Sequence, residues 1–69
     1  MGYEVGDRIE VIGTMANDPA PMEIGATGTV EEITPPMYRM SGQMWVNWDN
    51  GRSLMILIPD DLSIIRKLP

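Results

Sequence analysis

Residues 43–58 predict a β-hairpin, and this hairpin limits the folds that are open to the chain. The runs QMWVNW and SLMILI are rich in branched and aromatic residues, and the four residues between them are Asp49, Asn50, Gly51 and Arg52. Asn-Gly between two such runs is the strongest short-range signal for a hairpin turn, because both residue types tolerate a positive φ. The sequence therefore favours a structural turn over a ligand site for these four residues.

The register of the hairpin follows from the side chains that it would bury. A two-residue loop, Asn50-Gly51, would pair Asp49 with Arg52. A three-residue loop, in which Gly51 is left-handed in a bulge, would pair Trp48 with Arg52 instead. The second register forms one continuous apolar face. Its residues are Met44, Val46, Trp48, Leu54, Ile56 and Ile58. Because a slip of one residue exchanges the two faces of a strand, we prefer the three-residue loop.

The remaining chain carries strand signals and almost no helix signal. Six prolines and seven glycines interrupt it, and no window of about eleven residues has apolar positions at helical spacing. Alternating apolar residues predict short strands in DRIEVIG, GATGTVEEIT and SIIRKL, with a bulge or bend near Glu31 and Glu32 where the alternation fails. The sequence PDDL predicts one tight turn before the last strand, with Asp60 as its cap.

Five short strands without a helix must hide the edges of their sheet. With so little chain, a small and strongly bent barrel is the economical solution. A long loop after the first strand, a tight hairpin between the third and fourth, and a 3-10 turn before the fifth are typical of an SH3-like barrel. The prediction is a single all-β domain over residues 1–69 with this five-stranded fold.

The charge of the chain bears on its partners. Ten acidic residues face five basic ones, for a net charge of −5, and residues 1–36 hold seven of the acids but Arg8 as their one base. This balance disfavours nucleic acid as a partner, since binding to phosphate depends on Lys and Arg. Two interpretations of the acidic half stay open: a solvated surface, or an interface for a basic protein partner that includes Glu31 and Glu32.

Residues that carry chemistry are few. The chain has neither cysteine nor histidine, so it lacks thiolate metal ligands, disulfides and an imidazole base. The adjacent carboxylate pairs, Glu31-Glu32 and Asp60-Asp61, would diverge on a strand, and GATGTV lacks the spacing of a phosphate-binding loop. We therefore predict no enzyme activity, no catalytic residues, no cofactor and no metal site.

The sequence also contains no signal for a membrane or for export. No apolar run approaches the roughly 18 residues that cross a bilayer. The start, MGYEVGDR, lacks the basic and apolar regions of a signal peptide. We expect a soluble cytoplasmic protein without membrane contact.

Three runs carry a resemblance to a known family. GDRIEVI, IGATGTV and VNWDNGRSL resemble the pattern of short proteins of unknown function found mainly in bacteriophages and in bacterial prophage regions. The resemblance spans Val5 to Ile65, and WDNGRSL is its most specific part. The Met- and Pro-rich middle and the run LMILI depart from the pattern. The resemblance implies a small β-barrel of viral or prophage origin in a bacterial host cell, and it supplies no catalytic residues.

The preferred register places an apolar patch on the outer face of the sheet. There Trp45 and Met55 are cross-strand neighbours, and Leu57 is one diagonal step away. The adjoining loop adds Met37, Tyr38 and Met40. Methionine suits both gap filling and adaptable contact surfaces. Three interpretations stay open: the loop folds over Trp45 as a second small core, the patch binds a partner or a second copy, or Trp45 stacks on a base.

Two functions of different classes follow. The first is a non-catalytic protein-interaction module of phage origin, either an accessory of viral machinery or an inhibitor of a host protein, such as a defence protein, acting through its acidic or apolar surface. The second is a nucleic-acid-binding small barrel. Its residues would be Tyr38, Arg39, Trp45, Arg52, Arg66 and Lys67. The acidic balance favours the first.

Overall fold

The computed structural model describes residues 2–14 and 18–69 of the chain. Its five strands pair antiparallel in one sheet that curls into a half-barrel. The strands are β1 (Arg8–Val11), β2 (Thr27–Thr34), β3 (Gly42–Trp48), β4 (Met55–Ile58) and β5 (Ile65–Lys67). A 3-10 turn, Leu62–Ile64, precedes β5, and no α-helix occurs within the described ranges.

The strands lie in the order β4-β3-β2-β1-β5. Strands β2, β3 and β4 form a meander of consecutive neighbours, and β1 and β5 extend the sheet from the free side of β2. Such a curled sheet has its apolar side chains on the concave side, where they exclude water. The predicted all-β, five-stranded SH3-like architecture, with its 3-10 turn before the last strand, is confirmed.

The register between β3 and β4 is the predicted one. Met44 pairs with Ile56, as the three-residue loop requires. Gly51 has a φ of 79°, and its N–H donates to the carbonyl of Trp48 at 3.1 Å. The ladder with β4 begins at Met55, so the pairs predicted nearer the turn lie outside it.

A bulge interrupts β2 where the sequence loses its alternation. Val30 pairs with Val46 on β3, but Glu32 pairs with Trp45, so Glu31 is one extra residue on β2. The predicted bulge is therefore confirmed. A bulge of this kind bends its strand and increases the local twist, which helps the sheet to curl.

The core takes alternate residues from all five strands and two residues from the β1–β2 connection. The buried apolar residues are Ile9, Val11, Met22, Ala26, Val30, Met44, Val46, Trp48, Ile56, Ile58 and Ile65. Trp48 is 2% exposed, and its indole N–H donates to the carbonyl of Leu54 at 2.8 Å. Within the described residues, no charged or polar side chain is buried. Trp48 thus fills the core while its one polar atom is satisfied.

Candidate functional site

An apolar patch lies on the outer face of the sheet beside its β4 edge. Trp45 is 44% exposed and sits opposite Met55 on β4 and Glu32 on β2. Leu57, opposite Gln43, is one diagonal step away, and both Met55 and Leu57 are half-buried. The predicted neighbours are therefore in place. We call Trp45, Met55 and Leu57 the outer patch.

A groove with a volume of about 740 Å³ adjoins the outer patch. Its apolar lining comes from Pro19, Leu54, Met55, Leu57 and Ile64. Since Met55 and Leu57 belong to both, the outer patch and the groove form one continuous surface. Three aspartates also line the groove, and we call it the acidic groove after them: Asp18, Asp60 and Asp61.

The three aspartates of the acidic groove keep acceptor capacity for a ligand. None of them forms an ion pair in the part of the chain that the structure describes. Asp18 accepts the N–H of Ala20 at 2.9 Å, and Asp61 accepts the N–H of Leu57 at 3.0 Å. An ionised carboxylate offers about four acceptor positions, so one such bond leaves most of them free.

Asp61 also closes part of the outer edge of β4. Its carboxylate accepts the N–H of Leu57, and its own N–H donates to the carbonyl of Leu57 at 2.9 Å. We call this pair of bonds the edge seal. The prediction that Asp60 caps the turn is wrong. The 3-10 turn begins at Leu62, so its N-cap residue is Asp61, whose carboxylate accepts a hydrogen bond from the strand and makes none to the turn.

Most of the basic residues are engaged away from the acidic groove. Four ion pairs occur among residues 2–14 and 18–69: Arg8–Asp49, Arg66–Glu10, Lys67–Asp7 and Arg52–Glu23. Arg39 is the fifth basic residue of the chain. Of the residues that the structure describes, no lysine or arginine lines the groove, so no basic side chain there offsets the charge of its aspartates.

The tip of the β2–β3 connection is a tight turn with exposed side chains. Met37 and Met40 exchange two backbone hydrogen bonds, of 3.2 and 2.9 Å, around Tyr38 and Arg39. Tyr38 is 98% exposed and has a φ of 55°, while Met37 and Met40 are 62% and 76% exposed. These three side chains therefore form no second core over Trp45.

The two predicted acidic contacts lie side by side on β2. Glu31 is the extra residue of the bulge, and Glu32 lies directly opposite Trp45. Both are exposed, and neither forms an ion pair within the described ranges. The structure thus places Glu32 beside the outer patch and Glu31 next to it along the strand.

The hairpin turn holds the long β1–β2 connection through its side chains. The amide nitrogen Nδ2 of Asn50 donates to Glu23 Oε1 at 2.9 Å, and this bond lowers the pKa of Glu23. Arg52 donates to the carbonyls of Ala20 and Pro21. Asp49, also in the turn, accepts hydrogen bonds from Arg8 and Thr27. These bonds, that from Arg8 first, hold the pKa of the Asp49 carboxyl well below its usual range. These contacts are structural, since each ends on the protein itself.

Comparison with known protein families shows to which family the chain belongs. Residues 1–67 match a family described as "Domain of unknown function (DUF4314)". The chain belongs to the DUF4314 family. This confirms that it has relatives in a family of unknown function, as its motifs suggest. Searches among curated proteins and among solved structures gave no significant match for this DUF4314 domain.

The sequence did not point to the acidic groove of this DUF4314 domain. Asp18 follows β1, whereas Asp60 and Asp61 follow β4, and only the topology brings the two segments to one groove. No spacing or periodicity relates them along the chain. The charge of each residue is visible in the sequence, but its position relative to the other two is not.

Two other classes of site have no support in the described residues of this DUF4314 domain. Among the described residues, no cluster of three or more acidic, His or Cys side chains has the geometry to hold a metal ion. None of the helical segments in those residues has the length and apolar character needed to traverse a bilayer. The outer patch and the acidic groove are the features that carry a functional argument.

Proposed function

We propose that this DUF4314 domain is a small non-catalytic protein-interaction module, whose partner docks on the outer patch and the acidic groove. The observation that carries the proposal is the exposure of Trp45, 44%, on a sheet face where its cross-strand neighbour Met55 also lines the groove. Contiguous exposed apolar surface with a polar rim marks interaction sites, and tryptophan is enriched among the residues that dominate binding energy.

The distribution of basic residues supports a protein partner over nucleic acid. Binding to a phosphate backbone requires cations that are free to replace its counterions. Four of the five basic residues already pair with acids on the described surface, which leaves Arg39. The exposed rings of Trp45 and Tyr38 offer surfaces on which bases stack, but they do not neutralise the phosphates.

We propose further that the module acts in phage or prophage biology, in the cytoplasm of a bacterial host cell. It serves either as an accessory of viral machinery or as an inhibitor of a host protein such as a defence protein. The support is the resemblance of its three motifs to phage and prophage proteins, together with the net charge of −5. A small acidic surface is complementary in charge to a basic surface of a partner, and such complementarity raises the rate of association.

Site-specific cross-linking tests the docking surface. Benzoylphenylalanine is placed at position 45, and at position 5 as the control, since Val5 is 64% exposed and does not line the acidic groove. In the cells that naturally carry the chain, we expect a protein adduct from position 45 and none from position 5. Identical adducts from both positions, or a nuclease-sensitive adduct from position 45, would contradict the proposal.

Purified partner then gives a quantitative check. Trp45→Ala should weaken the complex by roughly 2 kcal/mol, as truncation of an exposed aromatic anchor usually does. Val5→Ala, a matched removal of exposed apolar surface, should leave the affinity unchanged. An adduct with a second copy of the chain would identify the partner as the module itself, and sedimentation would then show concentration-dependent dimers.

Expression in bacteria tests the proposed inhibition of a defence protein. The readout is the plating efficiency of a restricted phage on a defended strain. The native chain should raise this efficiency, and the Trp45→Ala variant should not. Equal plating with the native chain, the variant and an empty vector would leave the accessory role as the proposal and remove the inhibitor role.

A further inference from the structure

We infer that the acidic groove binds an extended protein segment in which lysine or arginine side chains alternate with apolar ones. The inference rests on the proposed function and names the chemistry of the partner at the same surface. Its basis is one groove that combines an apolar lining, which includes Pro19, Leu54 and Ile64, with three carboxylates that form no ion pair among the described residues.

The negative charge of the groove favours a positively charged partner segment. All three of its charged lining residues are aspartates, and none has an ion-pair partner within residues 2–14 and 18–69. Arg52 contacts the β1–β2 connection that carries Asp18, but its guanidinium already donates to the carbonyls of Ala20 and Pro21 and pairs with Glu23. A cation must therefore come from the partner.

The size of the groove defines how much of the partner enters it. A volume of about 740 Å³ lies within the range of roughly 300–1,000 Å³ typical of ligand pockets. It holds a few side chains rather than a folded domain. Apolar side chains of the segment would contact Leu54, Met55 and Ile64, and its cationic groups would reach the aspartates.

The edge seal opposes strand addition at one position of the β4 edge. A partner strand that added to β4 would need the N–H and carbonyl of Leu57, and Asp61 already occupies both. Strand addition at a sheet edge depends on such free backbone groups. Recognition at this position therefore runs through side chains, and it depends on the sequence of the segment.

Three synthetic peptides test the inference. The probe is a peptide of three arginine-leucine-serine repeats with a fluorescent label. One control replaces each arginine by glutamine, and the other replaces each leucine by serine. Fluorescence anisotropy should show binding of the probe, with both controls weaker. Amide NMR shifts on the full chain should cluster in residues 18–19 and 54–64.

Two double variants separate the groove from general acidity. Asp18→Asn with Asp60→Asn removes two groove charges and should weaken probe binding by about threefold to tenfold, the effect expected of two exposed ion pairs. Glu31→Gln with Glu32→Gln removes the same charge from β2 and should leave the affinity within about twofold. Circular dichroism of both variants checks that they fold.

Several results would overturn the inference. These are equal losses in both double variants, equal affinity of probe and glutamine control, shifts away from the groove, or probe affinity weaker than about 1 mM. If the peptides fail but position 45 still cross-links a protein partner, the proposed function stands and the groove chemistry is wrong. If both fail, the proposed function is wrong as well.

Discussion

Arg8 on β1 and Asp49 in the hairpin turn bind each other at the surface of the sheet. Arg8 Nη1 donates to Asp49 Oδ1 at 2.9 Å and to Thr29 Oγ1 at 3.0 Å, and Thr27 Oγ1 donates to Asp49 Oδ2 at 2.6 Å. The run GDR is thereby tied to the run WDNG through side chains that also hold β2. Two of the runs that carry the resemblance, GDRIEVI and VNWDNGRSL, thus meet in one contact.

This contact predicts a loss of stability in acid. Because the pKa of Asp49 is lowered on folding, its contribution is present above the unfolded-state pKa of about 3.9 and is lost as the pH falls below it. Asp49→Asn should be less stable than the native chain at pH 7, and this gap should narrow below about pH 4. Urea unfolding followed by tryptophan fluorescence measures it.

Asp18→Asn is the matched control for the acid experiment. It removes a carboxylate that has no ion-pair partner among the described residues, so the acid loss of the native chain should persist in it. A gap between the native chain and Asp49→Asn that stays constant from pH 7 into acid would remove the Arg8–Asp49 contact as the cause.

A β-branched residue in the hairpin turn should be costly. Gly51 has a φ of 79°, and a Cβ there would meet no atom within 4 Å. The cost of Gly51→Val is therefore backbone strain rather than a clash, and it should be roughly 1–3 kcal/mol in the free energy of unfolding. Gly51→Asn should cost less, since asparagine tolerates this region. Equal effects of the two changes in thermal or urea unfolding would contradict the strain argument.

The two tryptophans should respond differently to truncation. Trp48 is 2% exposed in the core, and Trp48→Ala should cost about 3–5 kcal/mol, which is comparable with the roughly 3–10 kcal/mol expected for a domain of this size. The variant should be largely unfolded by circular dichroism. Trp45→Ala should fold, because Trp45 is 44% exposed. Unfolding of Trp45→Ala would show that the outer patch is part of the core.

A change at Asn50 should reveal a contact that a turn alone does not need. From the turn alone, Asn50→Asp would be nearly neutral, since both residues suit the position. In the structure Asn50 donates to Glu23, so Asn50→Asp should destabilise the protein by setting two carboxylates side by side. Adding Glu23→Gln should restore much of the loss, and a double-mutant cycle in urea measures this coupling. Additive effects would show that the bond contributes nothing.

The predictable part of the fold rests on local pattern. The alternation of Met44, Val46 and Trp48 indicates which face is buried, and the break at Glu31 and Glu32 indicates the bulge. In both cases the signal lies within a few neighbouring residues, because side chains on a strand alternate between two faces. The parity of Trp45 follows from the same rule.

The rest depends on how distant segments meet. Arg52 binds Ala20 and Pro21, and Asp18 shares a groove with Asp60, although nothing periodic links these positions. Loops follow no repeating geometry, so their side-chain contacts are decided by packing against the finished sheet. For this reason the outer patch could be predicted in part, while the acidic groove could not.

The edge seal also affects how readily the protein aggregates in concentrated solution. MILI, the whole of β4, is an apolar, uncharged segment at the margin of the sheet, and such margins are templates for stacking one chain on another. A single carboxylate and a single amide, both from Asp61, occupy the backbone groups of Leu57 that an incoming chain would use. Asp61 therefore hinders the addition of another chain at the Leu57 position of this edge, through its carboxylate and its backbone N–H together.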